Sequence, residues 1–567
     1  MTLSLPTRAC RFLAIHCVVL ALAACGGSGD NDGPPPSDGD VTISGRITFD
    51  RVPFSSTLEG GLDHANPVES PAREVIVEII DTAGTILAST STNAAGEYTV
   101  NAPRNRNVRV RAKAQMRRTG AAPSWNFRVL NNTNSGALYA LDSEAFDTGT
   151  SNVTRNLHAA SGWNGTTYVN SERAAAPFAI LDTVYQAKEL VLSADAQAAF
   201  AELDLFWSPI NRATVGAFCP QNGDIGTTFY QIAGTQDECT PRADLPAGIY
   251  ILGDYAGGAG DTDEFDQHII AHEFGHYFED RFSRSDSLGG GHMGADRLDL
   301  RVAFGEGWGN AFSGMVLDDP EYRDSQGGRD FGFNMETDNW ANIPGAEGWY
   351  SEESISEILW DIYDDAQEAN DNVALGFGPI YRTMIGPQVT TDALTSIFSF
   401  AAGIRAANPA EAAAIDALLA GENISVTDEF GTGESNDGGD SSVLPIYNDL
   451  SEPMQVPVCV SATAGATDNN KLGNRKFFRF VNDRTRLVTI TATGAAGDPG
   501  TDAATDPDIF VFRQGAIVAA GITDGASSET LPQITLEPGT HIIEVYDFGL
   551  QSNPSTTRCM TLSIAGN

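Results

Sequence analysis

The chain has 567 residues, of which 34 are Lys or Arg and 75 are Asp or Glu, for a formal charge of −41. So acidic a surface argues against nucleic acid or anionic lipid as partner and for solubility outside the cell. The length calls for three or more domains.

Residues Met1 to Ala24 hold Arg8 and Arg11, no acidic residue, and the apolar run Phe12 to Ala24. That run is too short to span a bilayer but suits the core of a signal peptide. It ends in Leu22-Ala23-Ala24-Cys25, which resembles the lipobox of bacterial lipoproteins. The resemblance implies cleavage before Cys25, a lipid on its thiol, and anchoring in the bacterial cell envelope. Gly26 follows where an aspartate often retains such proteins at the inner membrane, which points to the outer one in a cell with two. Residues 25–40 lack core-forming side chains and read as a flexible tether.

Residues 41–162 read as a β-sandwich. VTISGRITF, VIVEII, ILAST, EYTV and VRVRAKA are short strands between turns such as Ala83-Gly84, and the segment resembles the carboxypeptidase-regulatory-like domains of secreted proteins. Met116 to Gly162 either closes this sandwich or begins the next domain. From Tyr168 the apolar spacing turns helical, in RAAAPFAILDTVYQAKELVL and in DAQAAFAELDLFW. A strand, Gly248 to Tyr255, then leads to a second helical stretch and reads as either a substrate-binding edge or an inner strand.

That stretch, Asp261 to Ser283, contains His272-Glu273-Phe274-Gly275-His276. Asp261 and Glu264 have capping-box spacing, and Phe265, Ile269, Phe274 and Phe278 suit a buried helix. His272 and His276 lie one turn apart on one face, so both imidazoles can reach one ion, while Glu273 addresses a water beside it. Zinc needs a third protein ligand, and Glu306 stands in RVAFGEGWGNAFSGMVL. Gly305, Gly307, Gly309 and Gly314 suit a helix pressed against another backbone.

HEFGH followed by GEGWGNAF resembles the gluzincin peptidases, and GEGW is similar to the third-ligand helix of fungalysin-type enzymes, relatives of thermolysin. Over roughly Ile249 to Pro387 the resemblance implies an α+β zincin-like domain with an α-rich lower half, placed at 163–445. It implies one zinc on His272, His276 and Glu306, with Glu273 as general base. Asn310 stands where these enzymes carry an aspartate oriented toward the first zinc histidine. Its amide oxygen still accepts from an imidazole but brings no charge.

Gly348 to Asp365 predicts a helix capped by Ser351, and two more follow, from about Asp392 to Ala406 and Pro409 to Leu419. Counting back from Ile355, by analogy with a thermolysin histidine, marks Tyr350 as the oxyanion-stabilising donor; His292, Tyr363 and Tyr381 compete. Gly431 to Ser442 reads as an acidic linker. Residues 454–567 read as strands and turns and resemble the pre-peptidase C-terminal domain, a sandwich appended to secreted peptidases. Asp318-Asp319, Asp364-Asp365 and Asp428 to Asp440 are candidate calcium loops.

Of seven cysteines, Cys10 and Cys17 leave with the signal and Cys25 is acylated. The remaining four pair economically as Cys219 with Cys239 and Cys459 with Cys559. Two functions fit: a cell-surface zinc endopeptidase acting on protein or peptide, or a non-catalytic binding or adhesion lipoprotein with a degenerate peptidase core. The intact Glu273, which metal binding does not need, favours the enzyme. The absence of a GxMEN segment favours an endopeptidase over an aminopeptidase.

Overall fold

The computed structural model describes residues 39–56, 60–213, 217–236, 238–256, 259–337, 343, 345–365, 371–494, 505–550 and 557–566. The leader and Cys25 lie outside them. The chain is multidomain and rich in β-sheet. Its helices are α1 (Ala176–Ala194), α2 (Gln267–Phe282), α3 (Leu300–Leu317), α4 (Glu352–Tyr363), α5 (Phe377–Ile385), α6 (Pro387–Thr390), α7 (Ile397–Ala407) and α8 (Ala412–Gly421).

The twelve-residue strand Asp40–Arg51 centres a small sheet, pairing antiparallel with Val68–Pro71 and Glu97–Pro103 and parallel with Val153–Thr154 and Leu157–Ala159. Beside it a ten-stranded sheet runs in the order Phe229–Gln231, Gly248–Ile251, Leu203–Trp207, Trp125–Asn131, Asn107–Arg118, Val75–Asp81, Ile86–Ser91, with three short strands off this path. Trp125–Asn131 and Leu203–Trp207 pair in parallel, Phe127 opposite Leu203 and Val129 opposite Leu205. One sheet therefore crosses the boundary expected near residue 162, and residues 41–162 are not a self-contained sandwich.

The same sheet corrects two local expectations. DAQAAFAELDLFW holds a strand, not a helix, at Leu203–Trp207. Leu203, Leu205 and Trp207 join the main core while Phe206 joins a smaller cluster with Tyr250 and Leu252, so the consecutive apolar residues Leu205 to Trp207 hide the two-residue period. Gly248–Ile251 is an inner strand, flanked by Leu203–Trp207 and by Phe229–Gln231, and the latter forms the edge. The loop behind that edge is stapled by the Cys219–Cys239 disulfide.

Helix α1 begins with Pro177 near its N-terminus and buries Phe178, Ile180, Leu181, Val184 and Val191 against the sheet and α2. Helix α4 starts at Ser351, whose side chain accepts from the Ser354 N–H, as its sequence indicates. The expected capping box on α2 is absent. Asp261 lies in a strand, Glu264 in a 3₁₀ turn paired with buried Arg173, and the helix starts only at Gln267. The stretch 431–442 is no open linker, since Asn436 and Gly438 pack on Tyr350.

The C-terminal part is a two-sheet sandwich. Tyr447–Leu450, Arg475–Asn482, Gly539–Asp547, Pro507–Arg513 and Ala516–Gly521 form one sheet; Met454–Val460, Arg558–Gly566, Arg486–Gly494 and Ser528–Leu536 form the other. They enclose a core of Phe480, Val488, Ile490, Val511, Ile543 and Leu562 among others. Cys459 and Cys559 stand opposite each other on neighbouring strands and are disulfide-bonded.

The sandwich is tied to α3 by buried charge. Asp299 caps the helix by accepting from the Arg301 N–H at 3.0 Å and also holds the Arg301 guanidinium at 2.9 and 3.0 Å. Arg301 Nη1 donates to Glu544 of the sandwich at 2.7 Å, and Arg475 pairs with the same carboxylate. Arg301, Asp299 and Glu544 are almost fully buried, so removing one partner strands the others without solvent. Arg301→Ala is expected to lower stability by about 3–5 kcal/mol, measured as a shift of the urea unfolding midpoint of the full chain.

Candidate metal centre

Helices α2 and α3 cross with almost no side chain between them. A Cβ added to Gly275 would meet the Gly309 Cα at 3.2 Å, and one added to Gly309 would stand 2.7–2.8 Å from the His272 ring. On the far side of α3, a Cβ at Gly307 would meet Ile355 and the Glu352 carbonyl of α4 at 2.7 Å. Trp308 Nε1 donates to the Gly275 carbonyl at 3.0 Å and locks the crossing.

This approach brings the three expected ligands together. The Nε2 atoms of His272 and His276 are 3.1 Å apart, and Glu306 Oε2 is 3.3 Å from each. His272 and Glu306 are buried, and His276 is partly so. Donors held 2.0–2.1 Å from one tetrahedral ion stand about 3.3–3.4 Å apart, so the set has the spacing and chemistry for zinc. Two ring nitrogens facing a carboxylate oxygen at these distances also need a positive charge among them.

Outer partners fix the rings. His272 Nδ1 lies 2.8 Å from Asn310 Oδ1. An amide oxygen only accepts, so Nδ1 carries the proton and Nε2 presents its lone pair to the cluster. His276 Nδ1 faces Glu279 Oε2 at 3.4 Å. Burial raises the Glu279 carboxyl above its ordinary value, and His276 opposes that rise. Sequence reasoning passed over Glu279, although an acid three residues beyond a ligand histidine on a helix is a usable signal.

Glu273 is 7% exposed, and its Oε2 accepts from the Tyr230 N–H of the edge strand at 2.6 Å. Burial raises its carboxyl above the ordinary value, against the pull of His272 and His276. For Glu306 burial acts in the same direction, but His276 and His292 outweigh it and hold that carboxyl well below the usual range.

Of the four candidate oxyanion donors, the structure brings His292 to the cluster. Its Nε2 is 3.2 Å from Glu306 Oε2, and its Nδ1 is 2.8 Å from Glu352 Oε2, a contact whose angles miss those of a hydrogen bond. Burial lowers the His292 pKa, but Glu306 and Glu352 together carry it up to about 11. Tyr350, the expected donor, is directed elsewhere. Its hydroxyl shares its proton between the Glu347 carbonyl at 2.8 Å and Asn436 Oδ1 at 3.0 Å, beside a separate cavity of about 590 Å³ that Asn423 and Glu434 also line. Tyr381 donates to Asp195, and Tyr363 points to the Met315 carbonyl.

A hairpin, Glu321–Gln326 with Arg329–Asn334, adds Tyr322, which the sequence did not mark. Its ring stands 6.2 Å from His272 and stacks on Phe333 at 5.2 Å. Burial pushes its hydroxyl well above the usual range, and Asp324, Glu273, Glu352 and Glu306 add to that.

The family model described as the Mycolysin C-terminal domain matches residues 254–413, the stretch that carries α2, α3, the hairpin and α4. This supports a relation to secreted metallopeptidases. No curated protein matches the chain. Among solved structures, the pre-peptidase C-terminal domain of a collagenase from Bacillus anthracis is 11% identical, with 21% of this chain and 93% of that one covered and a TM-score of 0.16. A periplasmic inhibitor of g-type lysozyme from Aeromonas hydrophila is also 11% identical, covering 21% and 96%, with a TM-score of 0.15. Scores this low do not establish a shared fold.

The crossing yields a test. Gly309→Ala gains helix propensity of about 1 kcal/mol but drives a methyl into the His272 ring. Zinc retained after dialysis should fall by roughly 10-fold or more, as when a ligand is misoriented. Gly421→Ala, with nothing within 4 Å of the added carbon, should leave zinc content unchanged.

Proposed function

We propose that the chain is a zinc-dependent endopeptidase, with His272, His276 and Glu306 holding the ion. The observation that carries this reading is the mutual spacing of those three donor atoms, 3.1, 3.3 and 3.3 Å, with Glu273 on the same helix turn. When bound, zinc supplies Lewis acidity that polarises a carbonyl and lowers the pKa of water toward ~7.

The chain's own groups do the rest. Glu273 accepts a proton from the attacking water and returns it to the leaving amine. The Tyr230 N–H fixes the carboxylate's orientation and brings the strand Phe229–Gln231 beside the general base. His292, whose Nε2 stands 3.2 Å from Glu306 Oε2, is the donor for the developing oxyanion. Asn310, being uncharged, makes His272 a weaker donor to the ion than an aspartate would. Anchoring through a lipid on Cys25 would put this site at the surface of the cell envelope, acting on proteins or peptides there.

Glu273→Gln should keep one zinc per chain and lose peptide hydrolysis by at least ~100-fold. A chelator should abolish casein digestion by the wild type and added zinc restore it. Equal activity in wild type and Glu273→Gln would leave the non-catalytic binding role. His292→Ala should lower kcat by roughly 10- to 1,000-fold with little change in KM, whereas Tyr350→Phe should leave kcat unchanged.

A further inference from the structure

The segment leading into α2 and the hairpin after α3 form a four-stranded sheet in the order Gly253–Asp254, Asp261–Thr262, Glu321–Gln326, Arg329–Asn334. This pairing gathers five aspartates, Asp261, Asp263, Asp266, Asp324 and Asp330. One carboxylate oxygen from each of Asp261, Asp263 and Asp324 lies within 4.8 Å of the other two. Asp263 is 3% exposed and Asp266 is fully buried.

Each carboxylate except Asp324 has one oxygen held by a donor from its surroundings. Gln326 Nε2 donates to Asp261 Oδ2 at 2.9 Å, Thr228 Oγ1 to Asp263 Oδ2, and Ser325 N–H and Oγ to Asp266 Oδ2 at 2.9 and 2.7 Å. Arg323 engages Asp330 Oδ2. The Oδ1 atoms of all five are buried with no hydrogen-bond partner among the described residues. Asp261 and Asp263 are each held on one side and bare on the other, and one carboxylate oxygen of each lies within 4.8 Å of one of Asp324. Buried carboxylates this close cannot all ionise without a neutralising charge, and Arg323 serves Asp330.

We infer that Asp261, Asp263 and Asp324 form a calcium site that pins the hairpin to the segment entering α2. An all-oxygen, carboxylate-rich set suits a hard divalent cation, and calcium accepts irregular arrangements of six to eight oxygens, waters included, where magnesium demands an octahedron. The site differs from the loops that the sequence marks for calcium. Asp428 Oδ1 accepts from Phe430 and Thr432 N–H groups and Asp440 Oδ1 from Ser442 N–H, so both close local turns. In the absence of a cation the cluster has to hold protons. Burial and neighbouring carboxylates raise Asp263 and Asp266 well above the ordinary range and carry Asp324 to about 7. Because Asp324 is two residues from Tyr322, an ion here also steadies the ring that stands over His272.

The test uses the full mature chain, stripped of metal and reloaded with one equivalent of zinc, so that its outcome is independent of the zinc reading. Calcium should bind saturably at one site by calorimetry. At about one hundred times Kd it should raise the thermal midpoint by at least about 3 °C, and magnesium should do less. Asp263→Asn and Asp324→Asn should each abolish the uptake and the shift, while their calcium-free midpoints equal or exceed that of the wild type because a buried repulsion is gone. Asp428→Asn should retain both. The inference is overturned by no saturable uptake in the wild type, with a calcium-free midpoint that simply rises from pH 8 to pH 5 as the cluster takes up protons. Undiminished uptake in both Asp263→Asn and Asp324→Asn overturns it as well.

Discussion

The contact on which this molecule depends is the close crossing of α2 and α3 at Gly275 and Gly309. With glycine at both points the backbones come close enough for His272 to lie flat over α3 while Glu306, one turn away, reaches both imidazoles. Any Cβ at Gly309 would occupy the place of the His272 ring. Such helices are poor on intrinsic propensity, and their stability comes from burial. Phe274, Phe278, Trp308 and Phe312 surround the crossing in one continuous aromatic cluster. The polar centre is thus framed by a rigid apolar wall, which suits ligands that must keep their positions to within a fraction of an ångström.

Charge is distributed with similar economy. Cations are outnumbered by acids more than two to one, yet several of the few are placed inside. Arg173 is buried against Glu264 just before α2, Lys188 of α1 meets Glu74 from the N-terminal region, and Arg301 joins α3 to the C-terminal sandwich. Each of these pairs links segments distant in sequence. Buried ion pairs add little net stability, but a wrong pairing would leave a charge unmatched, so they select one arrangement of the parts. Among the described residues, two further groups of acids lie at the histidine cluster and beneath the hairpin.

The clustering of His272, His276 and Glu306 was legible in sequence because it depends on local spacing. His272 and His276 share a face at any helix of 3.6 residues per turn, and the glycines around Glu306 announce close packing. Ser351 and the cysteine pairs were legible for the same reason, since a cap and an even count within a region need no knowledge of distant partners. What failed depends on long-range pairing. Leu203–Trp207 looks helical until its parallel partners Phe127 and Val129 are known. Asp261 resembles a cap until Gln326 takes it into a sheet. Tyr350 was reached by counting residues from an isoleucine, and nothing in that count could show that Asn436 and Glu347 hold its hydroxyl, or that a loop before Glu306 delivers His292 instead. Tyr322 carries no motif at all, and only the hairpin's register puts it over His272.

The ten-stranded sheet has a bearing on how the protein could be matured. In many secreted hydrolases an N-terminal portion is a separate body that can be clipped away to release the active one. Here Trp125–Asn131 supplies backbone partners to Leu203–Trp207, and the next strand but one carries the Tyr230 N–H that holds Glu273. Excising the N-terminal strands would bare the largely apolar strand Leu203–Trp207 and leave Asp204 without Arg128, opening an adhesive edge in the sheet that carries Tyr230. In this architecture the N-terminal strands are permanent parts of the scaffold.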